Sequence, residues 1–332
     1  MPNPTISDVH VNKPLTNISV GYIQDQNNFI ASKIFPNIPV THKSDLYYKF
    51  NKEDFMTSQM EERAPGDESA GSGYRLSTDS YLCRVFALHK DVPDQIRANS
   101  DTVLQPDREA VEFLTQNALI KRELDWATAY FTATAGWMNN TAGQAGASNM
   151  AGGFTQFWNL AASTPIEDLR YAIKVVQKLN GIKPNILVLG ASAWYALQDN
   201  PDLIDRVRYS GGSNTNPAMI TEQAVAAILK LKAIYVMEAV YNTAHEGQGF
   251  TGSFVGDKSA LLLYAAPAPG IMTPSAGYTF SWTGAYGNGI QGNRISKFRM
   301  EPKKSDRVEI EMAYGMKMVG PDLGFFFGTC VQ

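Results

Sequence analysis

Pro106-Asp107-Arg108-Glu109-Ala110-Val111-Glu112-Phe113-Leu114-Thr115-Gln116-Asn117-Ala118-Leu119-Ile120-Lys121-Arg122-Glu123-Leu124-Asp125-Trp126-Ala127-Thr128-Ala129-Tyr130-Phe131 carries the strongest local signal in the chain. Proline suits the first helical position, where its missing N–H would have no partner anyway. Asp107 and Glu109 sit at the positive end of the helix dipole, and neither Gly nor Pro interrupts before Gly136. Ala110, Phe113, Ile120, Leu124, Ala127 and Phe131 follow steps of three and four, with Asn117 in the one polar slot, and form the expected buried stripe. At 1.5 Å per residue the helix is a rod of about 40 Å, able to hold parts of a molecule far apart.

Upstream of the rod, residues 45–90 read as two strands around a long tip. Leu46, Tyr48 and Phe50 alternate with other residues, and residues 81–88 are rich in strand formers. Between them runs Arg63-Ala64-Pro65-Gly66-Asp67-Glu68-Ser69-Ala70-Gly71-Ser72-Gly73, which has turn chemistry throughout and nothing to bury. A two-stranded hairpin is marginal alone, so this one gains stability by lying on a neighbour. Residues 1–44 are polar and proline-rich, with short apolar pieces at Phe29-Ile30 and Ile34-Phe35-Pro36. Ordering each residue costs about 1–2 kcal/mol, so such a segment folds only as an arm laid on something else.

Downstream, residues 136–153 are rich in Gly, Ala and Asn and read as a surface loop. Thr164-Pro165-Ile166-Glu167 has the form of a capping box, and the helix it opens carries Ile166, Leu169, Ile173, Val176 and Leu179 on one face before Asn180-Gly181 ends it. Then come a strand at Ile186-Leu187-Val188-Leu189, a short helix with Ser192 as its N-cap, a polar loop at 210–217, a helix capped by Thr221, and strands around 233–237 and 260–264. This alternation is α/β over residues 164–265. After Pro267 the pattern turns to strands, with an alternating run at 307–312 and the apolar Phe325-Phe326-Phe327. There is no internal repeat.

The bulk numbers exclude several classes of function. A chain of 332 residues with 44% apolar content folds along most of its length, as two modest domains plus arms. Its net charge of -3 gives no basic footprint for a dedicated nucleic-acid binder and limits repulsion among many copies. Cys83 and Cys330 are too few for a disulfide framework or a zinc site, and read as free thiols of a reducing compartment. There is no apolar run near 18 residues, and Met1-Pro2-Asn3-Pro4 is wrong for the start of a signal peptide. The chain reads as made in a cytoplasm.

Four places carry candidate chemistry. Gly287-Asn288-Gly289-Ile290-Gln291-Gly292 matches a dinucleotide fingerprint, but residues 294–302 read as strand and turn where a phosphate-binding helix is needed. Gly190-Ala191-Ser192-Ala193-Trp194 stands where a hydrolase nucleophile elbow stands, yet Trp194 replaces its second glycine. His89 and His245 have no metal-spaced partner, and His10 and His42 lie in the arm. Glu61-Glu62 and Asp67-Glu68 sit on a polar tip, where carboxylates stay solvated. The sequence offers no catalytic residue, cofactor site or metal site. The alternative reading, an α/β hydrolase-like enzyme with Ser192 as nucleophile, lacks a base and an orienting acid.

An arm, a long hairpin, a rod helix, an α/β region and a strand-rich tail come in an order that resembles the tailed-bacteriophage major capsid proteins of the Hong Kong 97-type fold. More locally, Asp79-Ser80-Tyr81-Leu82-Cys83-Arg84-Val85-Phe86-Ala87-Leu88-His89-Lys90-Asp91-Val92-Pro93-Asp94, followed by the rod, is similar to the junction of E-loop and P domain in that family. The resemblance implies an α+β fold with an N-terminal arm at 1–44, an E-loop at 45–88, and a P domain at 89–184 with its spine helix at 106–133. An α/β A domain at 185–290 and C-terminal P-domain strands at 291–332 complete it. It implies a structural subunit that self-assembles through hexameric and pentameric capsomers into an icosahedral shell around double-stranded DNA, with only weak, non-specific contact to the genome and no membrane. The subunit is then assembled in the bacterial cytoplasm and ends in the virion. Inter-subunit contacts fall to Phe29, Ile34 and Phe35 on the arm and to Tyr48, Phe50, Arg63, Asp67, Glu68 and Arg75 on the hairpin. Scaffolding, portal and cement proteins are the further partners. No charged coiled-coil segment that could act as a fused scaffold precedes the arm, so a separate scaffold and prior removal both stay open. Some relatives crosslink through an E-loop lysine; Lys49 and Lys52 lie on this hairpin, and the sequence singles out neither.

Overall fold

A computed structural model describes residues 23–100, 104–144, 154–211, 220–270, 272–284 and 293–332. The elements in chain order are α1 (Ala31–Ile34), β1 (Asn37–Val40), β2 (Ser44–Phe50), α2 (Lys52–Met56), β3 (Leu76–Leu82), β4 (Arg84–Pro93), α3 (Asp94–Asn99), α4 (Pro106–Tyr130), β5 (Asn139–Gln144) and β6 (Phe154–Gln156). Beyond these lie α5 (Pro165–Asn180), β7 (Ile186–Gly190), α6 (Ala191–Gln198), α7 (Pro201–Gly211), α8 (Glu222–Leu229), β8 (Ala233–Met237), β9 (Val240–Asn242), β10 (Gly252–Phe254), β11 (Ala260–Leu263), β12 (Gly277–Trp282), β13 (Asn293–Met300), β14 (Ser305–Met318) and β15 (Gly324–Phe327).

Two sheets organise the molecule. One has six strands in the order β6-β5-β15-β11-β7-β8, with β11 antiparallel to both β7 and β15 and the other pairs parallel. Its strands alternate between two cores. Leu187, Leu189, Leu262, Phe325 and Phe327 face a layer made by α5, α6, α7 and α8. Ile186, Val188, Leu261, Leu263 and Phe326 face α1 and the last turns of α4. Burial on both sides is why these strands read as continuous apolar runs. The other sheet has five strands, β1-β12-β14-β13 with β4 also on β14. The 14-residue β14 carries β4 along residues 305–314, β13 along 305–312 and β12 along 314–318.

Helix α4 joins the two sheets. Its 25 residues span about 37 Å. Ala110, Leu114 and Ala118 pack on Val92, Val308, Ile310 and Met312 of the five-stranded sheet. Trp126 and Ala127, further along the helix, pack under the six-stranded sheet. The expected stripe is therefore buried at Ala110, Ala127 and Phe131 but not at Phe113, Ile120 or Leu124. Phe113 is 43% exposed, and Asn117 Nδ2 donates to its carbonyl at 2.8 Å on the solvent side. The buried positions are Ala110, Leu114, Ala118, Arg122, Glu123, Trp126 and Ala127. Two of these are the small residues Ala110 and Ala118, burial that the spacing of the larger apolar residues does not display.

Several other expectations shift. The loop expected at 136–153 contains β5, which runs parallel to β15, and residues 145–153 lie outside the described residues. A boundary at 290 does not separate the sheets: β12, before it, belongs to the five-stranded sheet, and β15, after it, to the six-stranded one. The Thr164 side chain makes no cap, although Gly181 ends α5 at φ +67 as expected. Thr221 caps α8 by accepting from the Ala224 N–H at 3.2 Å. The Gly287–Gly292 fingerprint and most of the 210–217 loop lie outside the described residues, and the residues just after the fingerprint form a strand, β13.

Candidate functional site

The hairpin pairs β2 with β3 from Ser44↔Leu82 to Phe50↔Leu76. Strand side chains alternate, and here the two faces differ in fate. Tyr47, Asp79 and Tyr81 point at the body. Tyr81 stacks on Phe280 at 4.5 Å, the Tyr47 hydroxyl donates to Asp79 at 3.0 Å, and Lys317 Nζ donates to Asp79 at 2.9 Å. Lys317 holds the Asp79 carboxyl below its ordinary range. The opposite face carries Leu46, Tyr48, Leu76 and Leu82, which are 63%, 71%, 47% and 54% exposed. That face also carries the exposed Ser44, Thr78 and Ser80, and its four large apolar side chains are uncovered.

Beyond the strands lies α2, which the sequence pattern does not display. There Phe55 meets Phe50 and Tyr74 at ring distances of 6.0 and 5.7 Å. Arg75 ties the two arms of the hairpin through Asp54 at 3.1 Å and Glu53 at 3.2 Å, and it lowers the Asp54 carboxyl. Of the expected contact residues, Arg75 is thus engaged within the hairpin, and its guanidinium is still 68% exposed. Arg63, Asp67 and Glu68 lie on the exposed tip and, among the described residues, make no ion pair. Lys52 pairs with Asp322 and stands 3.4 Å from both Asn180 Oδ1 and the Leu179 carbonyl, which lays the start of α2 on this chain's own body. Lys49 contributes its carbonyl to Ser77 Oγ at 3.1 Å.

The arm residues behave differently from expectation. Phe29, Ile34 and Phe35 are 5%, 0% and 0% exposed, within this chain's own core. Phe35 meets Trp126 and Tyr130 of α4 at 5.9 and 5.0 Å. These three side chains are consumed by intrachain packing, which corrects their assignment as contacts to a neighbour. The arm does lie on something, and it is α4. Gln24 pins the arm to β9: its side-chain amide donates to the Val240 carbonyl at 2.5 Å and accepts from the Val240 N–H at 2.9 Å. Glu123, buried in α4, accepts the N–H groups of Ile30 and Ala31 at 3.0 and 2.9 Å. Burial pushes its carboxyl up to about 7.

The foot of the rod is fixed by charge. Arg97 donates to Asp107 and Asp306, both at 2.9 Å, and Lys297 also reaches Asp107 at 2.9 Å. Arg307 grips Asp91 with two bonds at 2.7 and 3.0 Å, and this holds the Asp91 carboxyl down to about 2. Asp107 therefore serves as an ion-pair partner as well as a dipole partner, which its position in sequence does not reveal.

Ser192 is not the N-cap of α6. Gly190 occupies that position, and the cap comes from Asp257, whose carboxylate accepts the Ser192 N–H at 3.3 Å and also its hydroxyl. A Cβ at Gly190 would meet the Asp257 carbonyl oxygen at 2.1 Å, so this turn requires glycine for close approach. Both thiols are free and buried, and burial raises Cys83 to about 11. Among the described residues no helix is long and apolar enough to cross a membrane, and no group of three His, Cys, Asp or Glu is placed to hold a metal ion.

No protein-family model matches the chain. Curated relatives do. The major capsid protein of Pseudomonas phage JBD67 is 26% identical over 323 residues, covering 97% of both chains. That of Burkholderia phage BcepMu is 23% identical over 320 residues, covering 95% of both. These likenesses support a tailed-phage major capsid protein. The capsid subunit has the corresponding fold: it matches the capsid structure of cyanophage P-SCSP1u with a TM-score of 0.62, 11% identity, and coverage of 100% of this chain and 96% of that one. A phage-related protein from Bordetella bronchiseptica RB50 gives a TM-score of 0.66 at 21% identity, covering 92% and 94%. The role of such a capsid subunit is structural.

Proposed function

We propose that the subunit closes an icosahedral shell around double-stranded DNA by laying its hairpin across the next subunit of hexameric and pentameric capsomers. The observation that carries this reading is the uncovered face of Leu46, Tyr48, Leu76 and Leu82, on a hairpin whose other face is fixed to the body. A strand pair held rigidly on one side, with large apolar side chains open on the other, is built to be covered. Repeating one such contact around a closed assembly lets each contact be modest. Phe50, Arg63, Asp67, Glu68 and Arg75 supply the aromatic anchor and polar rim of this contact. Residues 45–88 act as the E-loop, α4 as the spine, and the six-stranded sheet with its helices as the bulk of the axial domain.

Contact with packaged DNA is weak and non-specific, in keeping with a net charge of -3. Scaffolding, portal and cement proteins are the remaining partners, and assembly takes place in the bacterial cytoplasm. The subunit does no catalysis: Ser192 directs its hydroxyl to the carboxylate that caps its own helix. Deleting residues 64–73 and examining the product by gradient sedimentation and electron microscopy tests the reading. A folded, soluble subunit without closed shells is the expected result, and normal particles contradict it. A serine-directed fluorophosphonate leaves wild-type protein unlabelled; labelling that Ser192→Ala abolishes would reinstate a nucleophile.

A further inference from the structure

Glu123 is the one carboxylate among the described residues that sits at the junction of arm and rod with its side chain out of water, at 1% residue exposure. It accepts two backbone N–H groups at the start of α1, from Ile30 and Ala31. Its neighbourhood is apolar: Ile30, Ala31, Ile34, Phe35, Trp126 and Ala127 form one buried cluster there. The charged groups that bear on it are few. Arg122, on its own helix, directs its guanidinium over the Tyr314 ring at 5.6 Å. Lys33, from α1, donates its ammonium to the Asn27 carbonyl at 3.2 Å on the surface. From β14 comes Tyr314, whose hydroxyl is given to Asp125 at 2.8 Å.

We propose that Glu123 is a proton-linked latch for the arm: protonated, it holds residues 30–35 on the spine helix, and ionised it favours their release into water. Two neutral N–H donors only partly offset the desolvation of a full negative charge. The arm is the lid that keeps water out, so lifting it is what restores solvation to the carboxylate. Linkage sets the sign. With the arm docked, the carboxyl titrates near 7; with the arm lifted, it returns towards the ordinary glutamate value of about 4.3. Between these values the docked form holds a proton that the open form lacks, so docking weakens as pH rises through that window. The same segment continues into β1, paired with β12, and is anchored upstream by Gln24 on β9. Release between those two anchors would loosen the link between the sheets without unfolding either. Its consequence for shell assembly rests on the reading proposed above, whereas the latch itself is measured on the arm alone.

Hydrogen exchange by mass spectrometry on the full chain, corrected for the intrinsic pH dependence of exchange, tests the latch. Protection of the peptide covering residues 29–35 should fall at least about tenfold from pH 5.5 to 8 in the wild type. It should stay level in Glu123→Gln, which keeps the acceptor and loses the titration. Unchanged wild-type protection over that range, or the same fall in Glu123→Gln, overturns the proposal. Should Glu123→Gln fail to fold, infrared difference spectra of the wild type decide it: a buried carboxylic acid band lost with a midpoint near pH 7 supports the latch, and titration of every carboxyl below about pH 5.5 refutes it. Loss of shells with the exchange pattern intact would count against the assembly reading and leave the latch standing.

Discussion

The hairpin β2–β3 and the six-stranded sheet are built from the same kinds of side chain and use them in opposite ways. Leu187, Leu189, Leu261 and Leu262 in the sheet are fully buried, while Leu46 and Tyr48 in the hairpin are more than 60% exposed. Register explains the contrast. The sheet has helices on both faces, so either direction of its alternation ends in a core. The hairpin leaves the body after Val40 and returns at Cys83, and only its inward face meets β12 and β14. The sheet spends its apolar surface on folding one chain. The hairpin leaves its own exposed, and on the function proposed above that surface is kept for a second chain.

The comparison can be broken most forcefully in the sheet. Phe326→Ala, at 1% exposure between Phe131 and the facing core, should lower the unfolding free energy of the subunit by about 3–5 kcal/mol in denaturant titration. Leu124→Pro tests the rod that ties the sheet to the rest. It removes a helix hydrogen bond and kinks α4, costs about 3 kcal/mol or more, and should give insoluble protein or no particles.

A smaller effect is expected at the foot of the rod. The Arg307 pair holds Asp91 at about 2 against an ordinary 3.8, so its contribution is present above about pH 4 and is lost as pH falls towards 2. Asp91→Asn should cost about 1–2 kcal/mol at pH 7 and flatten the acid limb of a stability–pH curve. Smallest for the isolated subunit is Tyr48→Ala on the hairpin, within about 0.5 kcal/mol. Its effect should appear instead as a lower yield of closed particles. An equal loss of subunit stability from Tyr48→Ala and Phe326→Ala would erase the distinction between the two regions.

Much of this architecture is legible in the sequence because periodicity and terminal chemistry agree. The rod, α5 with Gly181, α8 with Thr221, and strands β7, β8 and β11 all show it. The features that are not legible depend on contacts distant in the chain. The phase of α4 shows only against the five-stranded sheet, where Ala110, Leu114 and Ala118 share a core with Val308, Ile310 and Met312. Strand β5 has the composition of a loop and owes its strand to β15 and to Gly143, where a Cβ would meet the Thr329 carbonyl oxygen at 2.2 Å. The cap of α6 comes from Asp257, 65 residues away. Among the candidate site residues, Tyr48 is marked by alternation. Phe29, Ile34 and Phe35 carry the same apolar signal, and nothing local distinguishes a side chain kept for a neighbour from one docked on its own helix.

The most direct test is electron cryomicroscopy of the particles formed by the purified chain, read at Leu46, Tyr48, Leu76 and Leu82. The predicted result is a closed shell in which these four side chains, open in the single subunit, are covered by the adjacent subunit while Tyr81 keeps its stack on Phe280. A closed shell that leaves this face in solvent would contradict the account.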